Sequence, residues 1–407
     1  MRDDLFKNIR DKLINAKFTR NIIMLMLLLV VFWITIVGAN YPSQLLSQGF
    51  SWIEGKLVAG AVYLNAPTFA YEFIIFGVYR VSTWVIAVVL LPMLVFFPLF
   101  TLLEECGYLP RVAYNLDGCF RKCHACGQQA ITTCMGFGCN AVGVTGCQMI
   151  ESPRERMIAI LTNSFVPCNG RFPMLIAVIT MFIACENSFI AAITLTMLIV
   201  GSVGMTLIVS YILSKTVLKG IPSSVSLVLT PLKIPDFKHV ILYSIFDRLI
   251  FVLRRSLVVA APAGGVIWLI SNLTWQGESI IVVLADLLEP VGAIMGLDGV
   301  ILLAFILGMP ANELVLPLMF MIYVQTNRLS EIGDLTQIRT LFVDNGWTLQ
   351  TAVNVMIFSV MHWPCATTLL TIKNETKSWR WTMCAFALPT VCGIVICMMT
   401  NLLSNLV

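Results

Sequence analysis

The chain has 407 residues, 58% of them hydrophobic and only 12% charged, with a mean hydropathy of +0.88. Soluble globular domains carry about 25% charged residues, so half that density excludes a water-solvated fold of this length. The net charge of +4 is small; it offers no footing for a nucleic-acid partner and matters less than its distribution.

The charges cluster, leaving uncharged stretches at 21–53, 81–103, 123–150, 187–214, 256–277, 345–372 and 381–407; two more, 157–185 and 299–327, each hold one central charge. A bilayer core takes about 20 mostly apolar helical residues, and each of these stretches is long enough. The fold class expected is an all-α integral membrane protein of about eight transmembrane helices, with re-entrant or broken gate segments and room for inverted repeats.

In chain order, residues 1–20 read as an amphipathic cytoplasmic segment with Leu5, Ile9, Leu13 and Phe18 on one face. Six Lys/Arg stand there against three Asp, which places the N-terminus in the cytoplasm and argues against a secretory signal. The polytopic transporter domain is expected over 21–407, opening with a span at about 22–38. Residues 41–80, aromatic and charge-balanced, read as exterior or interfacial, and a second span follows at about 81–103. Glu104 and Glu105 end it, as a funnel for cations or as solvated helix ends.

Seven cysteines fall between 106 and 147, near flanking charge that suits the cytoplasmic face, where disulfides are rare. Among them Cys123-His124-Ala125-Cys126 is a CxxC with an internal histidine, a candidate secondary thiol site for metal relay or redox work, or incidental packing. The Gly- and Thr-rich stretch 129–150 reads as a re-entrant or broken segment, since each helical glycine costs roughly 1 kcal/mol and loose backbone cannot face lipid.

Two segments form a pair. Arg171 sits between Pro167 and Pro173, and Glu313 between Pro310 and Pro317, each with fourteen uncharged residues on either side. An interior proline breaks helix hydrogen bonds, and a mid-membrane charge needs a partner or a polar cavity. Matched breaks in two halves of a chain point to a transport site; tolerated kinks are the plainer alternative. No residue-level repeat is obvious. Residues 215–255, with seven Lys/Arg against two Asp, suit the cytoplasm, whereas 271–298 carries four acids and no base and suits the outside. Simple alternation puts the basic 373–380 outside; a re-entrant 299–327 would repair this and move the C-terminus out.

Three cysteines sit where prolines or glycines break the chain: Gly138-Cys139-Asn140, Pro167-Cys168-Asn169 and His362-Trp363-Pro364-Cys365. Thiolate and imidazole suit soft or borderline divalent metals, with amide oxygens as weak extra ligands. The expected ligands are Cys139, Cys168 and Cys365, assisted by Asn140, Glu313 and His362. Arg171 would position or counter-charge Glu313, with Asn169, Asn312, Glu104 and Glu105 along the gate. Free cysteine also packs as a small apolar residue, which is the competing reading. No phosphate loop, G-x-G-x-x-G or H-E-x-x-H occurs, so no catalytic residue and no tightly bound cofactor are expected.

Glu104-Glu105-Cys106-Gly107-Tyr108 through Arg111, then Gly136-Phe137-Gly138-Cys139-Asn140 and Cys168-Asn169-Gly170-Arg171-Phe172-Pro173, resemble the first gate region of the ferrous iron transport protein B (FeoB) family. Leu297-Asp298-Gly299 through Asn312-Glu313 resembles its second gate, and Pro364-Cys365 with Glu375-Thr376-Lys377-Ser378-Trp379 its third block. The first gate region would cover about 104–214 and the second about 298–407. The resemblance implies Fe2+ uptake across a prokaryotic cytoplasmic membrane, with the bilayer and Fe2+ as partners. A homo-oligomer and a separate GTP-binding protein are further candidates. This sequence holds no GTP-binding segment, so a GTPase would act in trans, and Asn312 stands where the family has Lys. The alternatives are a permease for another divalent metal or a nucleoside-like solute, and a membrane assembly subunit that moves nothing.

Overall fold

A computed structural model of the chain describes residues 42–107, positions 111, 114, 117, 118 and 120–123, and then 126–184, 187–220, 236–275, 277–325 and 335–406. The expected amphipathic segment 1–20 and the span at 22–38 lie outside the described residues, as do His124 and the side chain of Glu104.

Helix α1 occupies residues 42–63. Helix α2 (Thr68–Glu72) continues through a π-helical stretch, Phe73–Tyr79, into α3 (Arg80–Glu105). Next come α4 (Gln128–Gly138), α5 (Asn140–Gly146), α6 (Pro153–Thr162), α7 (Phe172–Ile179) and α8 (Ser188–Lys215). Helix α9 (Phe237–Leu242) passes through a second π-helical stretch, Tyr243–Leu249, into α10 (Ile250–Asn272). The strands β1 (Thr274–Trp275) and β2 (Glu278–Ser279) make a minimal antiparallel ladder. Then follow α11 (Ile280–Ile294), α12 (Gly299–Leu307), α13 (Val315–Tyr323), α14 (Leu335–Asp344), α15 (Leu349–Met361), α16 (Ala366–Thr376) and α17 (Trp379–Leu406).

The protein is all-α and membrane-embedded. Among the described residues five helices are long and apolar enough to cross a bilayer, and the pair α11 and α12, bent by 110°, makes a sixth if taken as one span. This count by helix length leaves out the expected span at 22–38, which lies outside the described residues, and the broken stretches 157–185 and 299–327, whose helices are too short to pass singly. One of the five begins at Thr68, so 41–80 is not simply exterior or interfacial, as expected. Charge counting ended the stretch at Arg80, yet Arg80 Nε donates to Glu54 Oε2 at 3.0 Å and its guanidinium lies 4.9 Å from the Phe76 ring. A paired, ring-covered arginine does not mark a helix boundary.

The fold has a basic end and an acidic end. At the basic end Gln148 Nε2 donates to Glu375 Oε2 (2.8 Å) and Arg154 Nε to the Leu218 carbonyl (2.6 Å). At the acidic end Tyr323 OH donates to Asp298, Trp347 Nε1 donates to Tyr323 OH (2.7 Å), and Asn401 Nδ2 donates to the Ala293 carbonyl (3.1 Å). The basic 373–380 therefore joins 148–154 and 215–220, and the end of α17 joins α11. Simple alternation failed because α12 and α13 form a hairpin that enters and leaves at one end.

Two inverted halves result. Hairpin α4–α5 leads back to the basic end, and the broken span α6–α7 runs from there to the acidic end, where Phe182 stacks on Trp347 at 5.5 Å. Hairpin α12–α13 enters from the acidic end, and the broken span α15–α16 runs back to the basic end. The long helices α3 and α10 brace both halves, and α10 crosses the π-helical stretch before α3 where glycine lets backbones touch: a Cβ on Gly264 would lie 2.5 Å from the Gly77 carbonyl oxygen.

Candidate functional site

All four broken elements bring their breaks together in the interior, and the sequence explains each one. Hairpin α4–α5 turns on Cys139, whose φ −152° and ψ 125° are extended. Hairpin α12–α13 turns on Ala311, at φ −152° and ψ 117°. Span α6–α7 opens after Asn163–Phe165 at Val166-Pro167-Cys168, and span α15–α16 opens at His362-Trp363-Pro364-Cys365. In each span, Pro167 or Pro364 supplies no N–H to continue a helix.

Set side by side, the residues at these breaks form a short match that reading the chain linearly missed. Gly136-Phe137-Gly138-Cys139-Asn140 matches Gly308-Met309-Pro310-Ala311-Asn312, and Val166-Pro167-Cys168 matches Trp363-Pro364-Cys365. The signal was a glycine four residues before asparagine, followed downstream by Pro-Cys. It is too short to stand out without the fold. Within each half one backbone bond joins hairpin to span: Asn169 N–H to Gly138 O (3.3 Å), and Ala366 N–H to Met309 O (2.8 Å). Asn163 Nδ2 donates to the Asn140 carbonyl (2.9 Å), tightening the first half.

Between the halves lies a cavity of about 50 Å³. Cys139, Asn140, Cys168, Asn312, Glu313 and Cys365 all line it, together with Thr367, Thr368 and, from the bracing helices, Val85, Met93, Val252 and Ser256. Three breaks that are far apart in the chain thus deliver their cysteines to one chamber. Asn312 Nδ2 stands 3.9 Å from Cys168 Sγ, and Cys365 Sγ is 3.2 Å from Thr368 Oγ1. Among the described residues no three His, Cys, Asp or Glu side chains stand close enough together to hold a metal ion. The space admits an ion with a few waters.

Other expected residues lie elsewhere. His362 is buried behind Asn312, its Nδ1 2.8 Å from the Ser359 carbonyl and its Nε2 3.4 Å from Asn312 Oδ1, and it does not line the cavity. Asn169 contributes backbone rather than side chain. Glu105 closes α3, away from the cavity. Cys123 and Cys126 precede α4, where Asp117 Oδ1 accepts from the Gly127 N–H (2.9 Å) and Asp117 pairs with Arg121 (2.6 Å). Burial, followed by the nearby Glu155 charge, pushes the Cys126 thiol up to about 11, so it is no poised thiolate at neutral pH.

Of the two roles expected of Arg171, positioning or counter-charging Glu313, the second takes no ion-pair form among the described residues. Its guanidinium is 1% exposed, with Nη1 donating to the carbonyls of Ser164 (3.1 Å) and Val360 (2.7 Å), and Nη2 to those of His362 (3.3 Å) and Trp363 (3.2 Å). Three of these carbonyls belong to the C-terminal break of α15, where acceptors are orphaned and the helix dipole favours a cation. Arg171 is thus a clamp between halves. Glu313 instead lays its carboxylate against Gly170, where any side chain would collide with it.

Comparison with known proteins matches this architecture. The Gate family model, described as "Nucleoside recognition", matches residues 86–184 and 253–379, more than half of the chain. The model "Ferrous iron transport protein B C terminus" matches residues 195–247 between them. The chain belongs to the FeoB family, as its membrane domain. Among FeoB relatives, the Fe(2+) transporter FeoB of Staphylococcus aureus (strain COL) is 26% identical over 401 residues, covering 95% of this chain and 57% of the relative. That of Methanocaldococcus jannaschii is 26% identical over 336 residues, covering 77% of this chain and 48% of the relative. A Porphyromonas gingivalis relative, named as an Fe(2+) transport protein A/Fe(2+) transporter FeoB fusion, is 23% identical over 406 residues, covering 88% of this chain and 47% of the relative. The chain spans about half the length of the curated relatives it matches. No solved structure matches it.

Proposed function

We propose that this FeoB-family chain conducts Fe2+ across a prokaryotic cytoplasmic membrane through the mid-membrane cavity, with Cys139, Cys168 and Cys365 as transient ligands. Asn140 and Glu313 assist directly, and His362 assists by holding Asn312. What supports this above all is that three cysteines from three separate backbone breaks line one small chamber. Thiolates suit a borderline cation, and weak amide and carboxylate oxygens allow release. Cys365 caps the N-terminus of α16, where the helix dipole favours the negative charge that a cationic cargo needs. Binding draws the sulfurs together across the breaks, and release lets them part.

The basic end, with Lys215, Lys219, Lys373 and Lys377, faces the cytoplasm in this reading. A GTP-binding protein would dock at that end. A nucleoside-like cargo, suggested by the matching model's description, is disfavoured by size, because pockets for such ligands run to about 300 Å³ or more.

Anaerobic flux into proteoliposomes tests the proposal, comparing Fe2+, Mn2+, Zn2+ and no metal. Fe2+ flux should be present in the wild type and lost in the Cys139→Ala/Cys168→Ala/Cys365→Ala variant. Equal Fe2+ flux in both, at equal reconstitution, would sink the thiol site.

A further inference from the structure

Thr367 lines the cavity, and its hydroxyl is in an unusual state. Thr367 is 3% exposed, and its Oγ1 has no hydrogen-bond partner among the described residues. Helical threonines in this protein routinely spend their hydroxyl on the carbonyl four residues earlier: Thr371 bonds Thr367 O at 2.8 Å and Thr376 bonds Ile372 O at 2.7 Å. Thr367 lies in the first turn of α16, just past the break. The residue four positions back, Trp363, is not helical, and its carbonyl accepts from Arg171 Nη2 at 3.2 Å. The local backbone therefore leaves this hydroxyl without a protein partner among the described residues. A buried polar atom in that condition calls for an absent partner.

The inverted repeat shows why the partner belongs on this side. By the match of Cys168 with Cys365, Gly170 corresponds to Thr367; by the match of Asn140 with Asn312, Ala141 corresponds to Glu313. A carboxylate reaches from the hairpin of the second half and fills the space over a glycine in the span of the first. In the reciprocal arrangement the hairpin of the first half offers only the Ala141 methyl group, while the span of the second offers the Thr367 hydroxyl. The neighbouring Thr368 hydroxyl already touches Cys365 Sγ at 3.2 Å and holds that sulfur on the same wall.

We infer that Thr367 Oγ1 is an oxygen donor to the cation, bound directly or through one of its waters, and that it adds a hard component to a thiol-rich site. This rests on the proposed Fe2+ cavity and deepens it. Mixed oxygen and sulfur donation moves a site from pure soft-metal preference toward Fe2+ and Mn2+, which defines the expected signature.

The test uses the full chain in nanodiscs under anaerobic conditions, titrated calorimetrically with Fe2+, Mn2+ and Zn2+. Thr367→Val keeps the shape and removes the hydroxyl. It should weaken Fe2+ and Mn2+ binding by about tenfold, the size of one lost ligand interaction, while Zn2+ binding changes less. Without metal its melting temperature should equal or exceed the wild type's, because an unpaired hydroxyl is removed. Thr367→Ser should restore Fe2+ affinity to within about twofold. Wild-type Fe2+ affinity in Thr367→Val, alongside lost binding in the triple cysteine variant, would overturn the role of Thr367 and leave the thiol cavity standing. Unchanged Fe2+ binding in the triple cysteine variant would overturn both.

Discussion

The carboxylate of Glu313, on the hairpin of one half, rests directly on the Cα of Gly170, in the broken span of the other. This contact spans the interface between the halves, and a Cβ at position 170 would displace the carboxylate. Gly170→Ala should therefore lower the melting temperature and abolish Fe2+ flux. The doubly substituted Gly170→Ala/Glu313→Ala protein should regain much of the lost stability, with a coupling of about 1 kcal/mol or more. Purely additive melting shifts would show that the two residues do not press on each other.

Arg171 contributes through its four carbonyl acceptors. Arg171→Ala leaves those acceptors buried and empty, at about 1–3 kcal/mol each before relaxation, so the expected loss is at least about 3 kcal/mol. Arg171→Lys, which lacks the planar fork, should recover only part of it. Urea or thermal melts in detergent would decide, and an alanine variant as stable as the wild type would remove the clamp.

Gly264 sets the crossing of α10 with the π-helical stretch before α3. A Cβ there would sit 2.5 Å from the Gly77 carbonyl and 2.7 Å from Val81 Cβ. Gly264→Ala should cost about 1–3 kcal/mol through overpacking, whereas alanine at Gly201, where nothing lies within 4 Å, should leave the melting temperature unchanged or slightly raised. Equal melts for the two variants would contradict the close crossing.

Cys126 offers a pH test outside the spans. Its thiol is raised to about 11, and alkylation proceeds through the thiolate. Its modification rate should be slow at pH 7 and climb roughly tenfold per pH unit toward pH 10, flattening only near the raised value. A rate that plateaus below pH 9 would mean that the thiol is not buried as described.

Much of this protein was legible in its sequence. Low charge density dictated the bilayer as solvent, and the prolines beside Arg171 and Glu313 marked the broken helices. The glycines of 129–150 marked the re-entrant hairpin. Cys139, Cys168 and Cys365 stood out because each adjoins a break. These are local properties, set by the absent proline N–H, the cost of helical glycine and the penalty of mid-membrane charge.

Only the tertiary structure decided how the pieces face one another. A sequence places Arg171 and Glu313 at similar depth but not at a given rotation, so it left open whether the arginine positions the glutamate or counter-charges it. The fold instead turns the arginine to the orphaned carbonyls of α15 and the glutamate onto Gly170. The inverted repeat, the fold-back of 299–327, the basic side for 373–380 and the idle hydroxyl of Thr367 likewise depend on contacts between residues distant in the chain. The physical reason is the same throughout: one-dimensional pattern reports what each segment must avoid in lipid, whereas only packing determines which partner satisfies it.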